Sequence, residues 1–358
     1  MTTKAPDAEK PTTTDERVRE VGVIQRLLVL PGTGAIIITV ILWIFFAIVA
    51  GGNNFVSMDA TAAIFNRAAP LGILAIAVCL LMIGGEFDLS IGSILGFSGM
   101  AIMIGVTPSE AGGFGWSLWL AVLFALVLAL LIGAGNGLLV VTTKLPSFIV
   151  TLGTLFIFRG LAIAITRQRT NRTQLGNLDE AEGFGFFDTL FGSQIELFGA
   201  SFNVAILWWI GLVILATWIL SRTAWGNWIF GTGGAEDAAR NVGVPTRRVK
   251  ILLFMGTAFA AFLVALIQAV QFTGSDALRG TLQEFNAIIA VVVGGTLLTG
   301  GYGSVIGAAL GALIFGVVQQ GLFFAGVESS LFRVFLGVIL LFAVILNTYI
   351  RRMITGER

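Results

Sequence analysis

Between Gly34 and Ile350 the chain carries ten mainly apolar stretches, and this pattern constrains its fold more than any other feature. They run Gly34–Ala50, Ala68–Gly84, Leu89–Val106, Trp116–Val140, Ser147–Thr166, Asn203–Leu220, Lys250–Gln271, Phe285–Leu298, Ser304–Gly326 and Leu331–Ile350. A helix that crosses about 30 Å of hydrocarbon needs roughly 20 such residues. The expected fold is an all-α, polytopic transmembrane bundle of about ten spans, with residues 33–350 as one membrane domain. The third and eighth stretches are short or broken by glycine.

Composition agrees. Hydrophobic residues make up 56% of the 358, and charged ones only 11%, against about 25% in soluble domains. That excludes an ordinary soluble enzyme, a disordered chain and a nucleic-acid binder with a basic face. The net charge is +1 and histidine is absent, so neither a histidine base nor a histidine metal site is possible. The lone Cys79 allows no internal disulfide and no multi-cysteine metal cluster. No metal site and no nucleic-acid partner are expected.

Residues 1–32 are polar and lack an apolar core of the signal-peptide kind, so the first span is expected to be an uncleaved anchor, with Met1 to about Glu20 disordered. Cations set the orientation. Arg17, Arg19 and Arg26 precede the first span; Arg222, Arg240, Arg247, Arg248 and Lys250 fill the loop 222–250; Arg351, Arg352 and Arg358 follow the last span. An even number of spans puts all three groups on one side, with Lys144, and that side is expected to be the cytoplasm. The tails 1–32 and 351–358 then both lie inside. The loop 167–202 holds three arginines against five acids and is expected outside. Trp116, Trp119, Trp208, Trp209 and Trp218 stand near span ends, where headgroup anchoring is the expected role. Arg159 is expected to reach the outer headgroups.

Small residues let helices approach closely in lipid. Gly133 to Gly137 and the series Gly303, Gly307, Gly311, Gly316 predict a tightly packed bundle. Two stretches say more. At Gly84-Gly85 and again at Gly294-Gly295 an apolar run stops on a glycine pair and restarts at Gly92-Ser93 and Gly303-Ser304. This is an internal repeat of a broken helix, and unwound backbone at membrane depth must be buried in protein or line a watery cavity. In transporters, paired breaks point to the pathway. Glu86 and Asp88 sit at the first. Two roles stay open for Asp88 and Ser90: capping the next helix, or a place in a gate. Asn136 and Gln320 offer amides either to a polar solute or to a neighbouring helix.

In the loop 222–250, Glu236 and Asp237 begin a short helix with Ala238 and Ala239. Glu236 faces Arg240 at four residues' spacing, and Gly243 and Pro245 end it. Arg247, Arg248 and Lys250 are expected to pin the next span at the headgroups. Gly233 to Val244, with Arg248-Val249-Lys250, resembles the cytoplasmic Glu-Ala-Ala…Gly motif in permease subunits of ATP-binding-cassette importers, and the match is close to the ribose/xylose-type sugar permeases. Ala235 stands where that family usually has Asn. Gly84–Ser93, Leu145–Thr154 with Arg159-Gly160-Leu161, and Gly294–Thr296 with Gly300–Ser304 resemble further family motifs, in order, across about Asn54 to Ile350.

The resemblance implies a subunit that does not hydrolyse ATP itself. Lys4, Lys10, Lys144 and Lys250 all lack the flanks of a phosphate loop. It implies these partners: a cytoplasmic ATPase that holds ATP and magnesium, a second permease copy, most simply a homodimer, and a periplasmic solute-binding protein. Glu236, Asp237, Ala238, Ala239, Arg240 and Gly243 would couple to the ATPase. A monosaccharide or polyol would pass near Gly84, Gly85, Asp88, Ser90, Asn136, Phe148, Thr151, Gly294, Gly295, Thr296, Thr299 and Gln320, in a bacterial inner membrane. Importers of branched-chain amino acids or nucleosides are the nearest alternatives. An ion-coupled transporter would usually carry more ionisable groups deep in its spans.

Overall fold

The computed structural model describes residues 33–355; the tail expected to be disordered lies outside them. Ten apolar helices appear. They are α1 (Thr33–Ala50), α2 (Met58–Ile83), α3 (Ile91–Val106), α4 (Leu118–Thr143), α5 (Ser147–Thr170), α6 (Ala205–Arg222), α9 (Thr246–Gln271), α10 (Gln283–Val293), α11 (Val305–Phe324) and α12 (Phe332–Thr355), with α7 (Ala224–Gly234) and α8 (Glu236–Asn241) between α6 and α9. Seven are long and apolar enough to cross a membrane, and three shorter ones complete the expected ten.

Two expected spans differ. The second begins at Met58, ten residues earlier than its apolar run, because its polar first half finds partners. Ser57 caps it, accepting from the Ala60 N–H. The Asn66 side chain donates to the Ser201 carbonyl and accepts from the Asn203 N–H at 2.8 Å. The eighth is only the 11 residues of α10, about 16 Å at 1.5 Å per residue, half a bilayer core. The segment before it runs along α3 instead: a Cβ at Gly96 would press on the Ala277 and Arg279 carbonyls, and one at Gly99 on the Ser275 side chain.

The helices α2, α9 and α11 form the buried centre, while α1, α4, α5 and α6 expose apolar flanks, as a bundle surrounded by lipid does. Glycine sets the close contacts. A Cβ at Gly133 would lie 2.6 Å from the Phe254 carbonyl, and one at Gly137 2.7 Å from the Ile251 Cα, whereas Gly135 faces open space. Gly311 and Gly316 do the same against Ala290 and Ile64.

The loops at the end away from α8 bond to one another. The two-residue strands β1 (Gln174–Leu175) and β4 (Ser275–Asp276) pair, and β2 (Gln194–Leu197) and β3 (Ala200–Asn203) form a hairpin. Arg159 donates to the Arg279 carbonyl at 3.1 Å, so loop backbone takes the place of the expected headgroups. Trp209 also departs from expectation. It is 5% exposed and packs on Gly72 of α2, while Trp119 and Trp218 stay exposed.

Candidate functional site

Both breaks end a helix in the same way. The N–H groups of Gly84, Gly85 and Glu86 donate to the carbonyls of Leu80, Met82 and Leu81; those of Gly294, Gly295 and Thr296 donate to Ala290, Val292 and Val291. Gly85 and Gly295 take φ of +85° and +93°, the left-handed region that glycine enters without a steric cost. The sequence repeat is therefore a repeat of backbone geometry.

The two breaks meet, and α7 ends between them. The Gly301 N–H donates to the Ile83 carbonyl at 2.9 Å. A Cβ at Gly300 would lie 2.8 Å from the Gly85 Cα and 2.9 Å from the Gly233 carbonyl, and one at Gly301 2.7 Å from the Gly234 Cα. A Cβ at Gly233 would overlap the Ile83 carbonyl. Three glycine pairs from distant parts of the chain thus form one backbone-to-backbone junction.

Beyond Gly85 the chain leaves the helix until Ile91, and hydroxyls from α5 satisfy its backbone. Ser147 Oγ accepts the Phe87 N–H at 2.9 Å, and Thr151 Oγ1 accepts the Leu89 N–H at 3.0 Å. Asp88 is fully buried. It accepts from the Ser90 N–H at 2.8 Å, the Ser90 hydroxyl at 2.5 Å and the Thr257 hydroxyl at 2.6 Å. The Asn136 amide donates to Ser90 Oγ at 2.9 Å. Ser90 makes no side-chain cap for α3; Asp88 takes the Ser90 N–H at the helix entry, and the same cluster is a polar knot that ties the break to α4, α5 and α9. In the second repeat a cap is present: Ser304 Oγ accepts the Gly307 N–H. Thr296 is buried, with its Oγ1 3.4 Å from Cys79 Sγ.

Lys250 was expected at the headgroups; it is instead 12% exposed, with its Nζ 2.6 Å from Glu86 Oε1 and 2.7 Å from Glu236 Oε2. The Glu236–Arg240 pair expected within α8 does not form. Arg240 pairs with Asp237 at 2.5 Å on the exposed side, because Lys250 offers Glu236 a less hydrated partner. A chain of charges thus joins α8 to the first break. Gly243, at φ +91°, turns the backbone after α8, with the Gly243 and Val244 N–H groups donating to the Arg240 and Ala239 carbonyls. Ala239 is buried, while Asp237, Ala238, Arg240, Asn241 and Val242 are exposed.

The other residues singled out in sequence are scattered. Phe148 is exposed on the flank of α5 and Gln320 is buried in α11. The Oδ1 of Asn136 and Oε1 of Gln320 lack partners among the described residues. Sequence reasoning missed Lys250 as a bridge, and Gly233 and Gly234 as a wedge. It missed Ser147 as well. No group of acids and cysteine among the described residues could hold a metal ion.

A family of permease components of branched-chain amino acid transport systems matches residues 60–344. The ribose import permease protein of Escherichia coli strain K12 is 31% identical over 296 residues, 82% of this chain and 87% of that one. An inner membrane ABC transporter permease protein of the same strain is 31% identical over 278 residues, 77% and 80%. The xylose/arabinose import permease protein of Sulfolobus acidocaldarius is 31% identical over 331 residues, 88% and 84%. No solved structure matches the chain. With ten apolar helices, two matching glycine breaks and a match over most of its length, the chain belongs to this family of multi-pass transport permeases.

Proposed function

We propose that the chain is the permease of an ATP-driven, binding-protein-dependent importer that moves a monosaccharide or related polyol across the bacterial inner membrane by alternating access. One observation carries the reading: α8 projects at one end of the bundle and is joined through Lys250 to the first break. Its exposed face, from Asp237 to Val242, is the surface offered to a cytoplasmic ATPase. That partner holds the ATP and magnesium, since this chain has no phosphate loop.

Displacement of α8 acts on the gate by two routes. The Glu236–Lys250–Glu86 chain pulls on the first break, and α7, one residue before α8, ends in the glycine junction that touches both breaks. Gly84, Gly85, Asp88, Ser90, Gly294, Gly295 and Thr296 form that gate, while Thr151 holds its backbone and Asn136 the Ser90 hydroxyl. The cations beside α8 favour the cytoplasm for this end and for both termini. The names of the relatives support the inner membrane and the sugar class. A second permease copy and an external binding protein complete the assembly.

The test is uptake into vesicles containing the chain, its ATPase and its binding protein. Import of D-ribose, D-xylose or L-arabinose that requires ATP inside supports the proposal. Import that persists without ATP and collapses with the proton or sodium gradient overturns it.

A further inference from the structure

Between α5 and α6 the chain passes through two helical turns, Phe184–Phe187 and Asp188–Gly192, at the end of the bundle away from α8. The Glu182 carbonyl just before them accepts the N–H of Leu118, the first residue of α4. The Leu190 carbonyl accepts the indole N–H of Trp208, in the first turn of α6, at 2.8 Å. A Cβ at Gly192 would meet the Val270 side chain of α9 at 2.7 Å. The turns therefore bridge the ends of α4 and α6, rest on α9, and lie level with the ends of these spans.

One face looks in and the other out. Phe187 and Phe191 are buried and belong to a row of rings, Trp119, Phe187, Phe191 and Trp208, whose successive centroids stand 4.8, 6.1 and 5.2 Å apart. Phe186 and Leu190, four residues apart and so on a shared face, are 51% and 39% exposed. The hydroxyls beside them are satisfied without water: Thr189 donates to the Gly185 carbonyl at 2.9 Å, and Ser193 to the Thr189 carbonyl at 2.8 Å. Asp188, the one charged residue from Gly183 to Ser193, is half-buried with its carboxylate against Gly192.

The surroundings of the exposed face say what covers it. Phe186 stands 4.7 Å from Trp119, which with Leu120 and Leu123 opens the exposed apolar flank of α4; Leu207 and Ile210 open that of α6. The face thus continues the surface that the bundle turns to lipid, at the level where tryptophans mark the headgroups. We propose that Phe184–Gly192 is a membrane anchor in the leaflet away from α8, with Phe186 and Leu190 set among the upper acyl chains of the phospholipids. Interfacial helices commonly add lysine or arginine that draws anionic headgroups. From Thr173 to Ser221 this sequence has neither, and Glu182 and Glu196 flank the turns. The partner is therefore the acyl layer of zwitterionic lipid, held by apolar contact alone. Held there, the turns give the ends of α4, α6 and α9 a fixed depth in the bilayer.

Spin labelling of the full assembly in phosphatidylcholine vesicles tests this. Cys79 is fully buried, so the label goes to an introduced thiol. At Leu190→Cys and at Phe186→Cys, collisions with oxygen, which concentrates among acyl chains, are expected to exceed those with a water-soluble nickel chelate. At Glu180→Cys, on the exposed acidic stretch before the turns, the order is expected to reverse. Nickel-dominated collisions at both test sites, as at Glu180→Cys, overturn the anchor and put the turns in water. Labels shielded from both reagents overturn it as well, because a protein, a second copy or the binding protein, then covers the face. Should Phe186→Cys disturb Trp119 and fail to assemble, Leu190→Cys gives the same reading, since the Leu190 bond to Trp208 uses the backbone carbonyl.

Discussion

Lys250→Met removes the cation shared by Glu86 and Glu236. The Glu86 side chain is 11% exposed and that of Lys250 12%, so water screens their contact little, and loss of one partner leaves a buried carboxylate uncompensated. Such losses cost about 3–5 kcal/mol; this pair sits near the edge of the bundle, so the lower figure, about 3 kcal/mol, applies. Glu236 is 39% exposed, regains water, and adds about 0.5 kcal/mol at most. The variant is therefore expected to lose about 3 kcal/mol of stability, a factor of about 100 in equilibrium. Adding Glu86→Gln removes the orphaned charge and is expected to return about 2 kcal/mol of that. Coupling is not restored, because the link from α8 to the break stays cut. Thermal unfolding in detergent reads the first effect, and solute imported per ATP hydrolysed reads the second. A double variant that recovers both stability and coupling would refute the idea that Lys250 transmits motion; an unchanged Lys250→Met would refute the pairing itself.

Two other substitutions probe the junction and the knot. Gly233→Ala forces a methyl group into the Ile83 carbonyl and is expected to cost about 3 kcal/mol, at the upper end of overpacking penalties. Gly135→Ala, facing open space, is the control that should fold normally in the same unfolding assay. Asp88→Asn keeps one acceptor oxygen but loses the charge that strengthens three accepted hydrogen bonds. A loss of about 1–3 kcal/mol, with transport reduced in the chains that fold, is expected from uptake measured per assembled complex.

Much of this was legible in the sequence because lipid imposes a simple rule. Each apolar run needs a helix that closes its own hydrogen bonds, and a glycine pair is where such a helix stops. The ten segments and the two breaks follow from that, while the short α8 was legible from its acidic start and from the Gly243 and Pro245 that end it. What was not legible depends on distance along the chain. Lys250 is 164 residues from Glu86, and Gly301 meets Ile83 across a still longer separation, so no local pattern announces either contact. Asn66 and Arg67 concealed the first half of α2, since their polarity argues against a span until Ser201 and Asn203 appear as partners. Gln320 drew notice for its amide, which lies buried in α11 with its Oε1 unpartnered among the described residues.

The central claim is that α8 meets a separate motor. Val242 is 82% exposed beside it, and the native cysteine is buried, so Val242→Cys supplies a single reactive thiol. Cross-linking it in the intact assembly should yield a covalent product with the ATPase subunit, reached from the cytoplasmic face. A thiol that reacts from the external face, or a cross-link that forms with any subunit except the ATPase, would contradict the account.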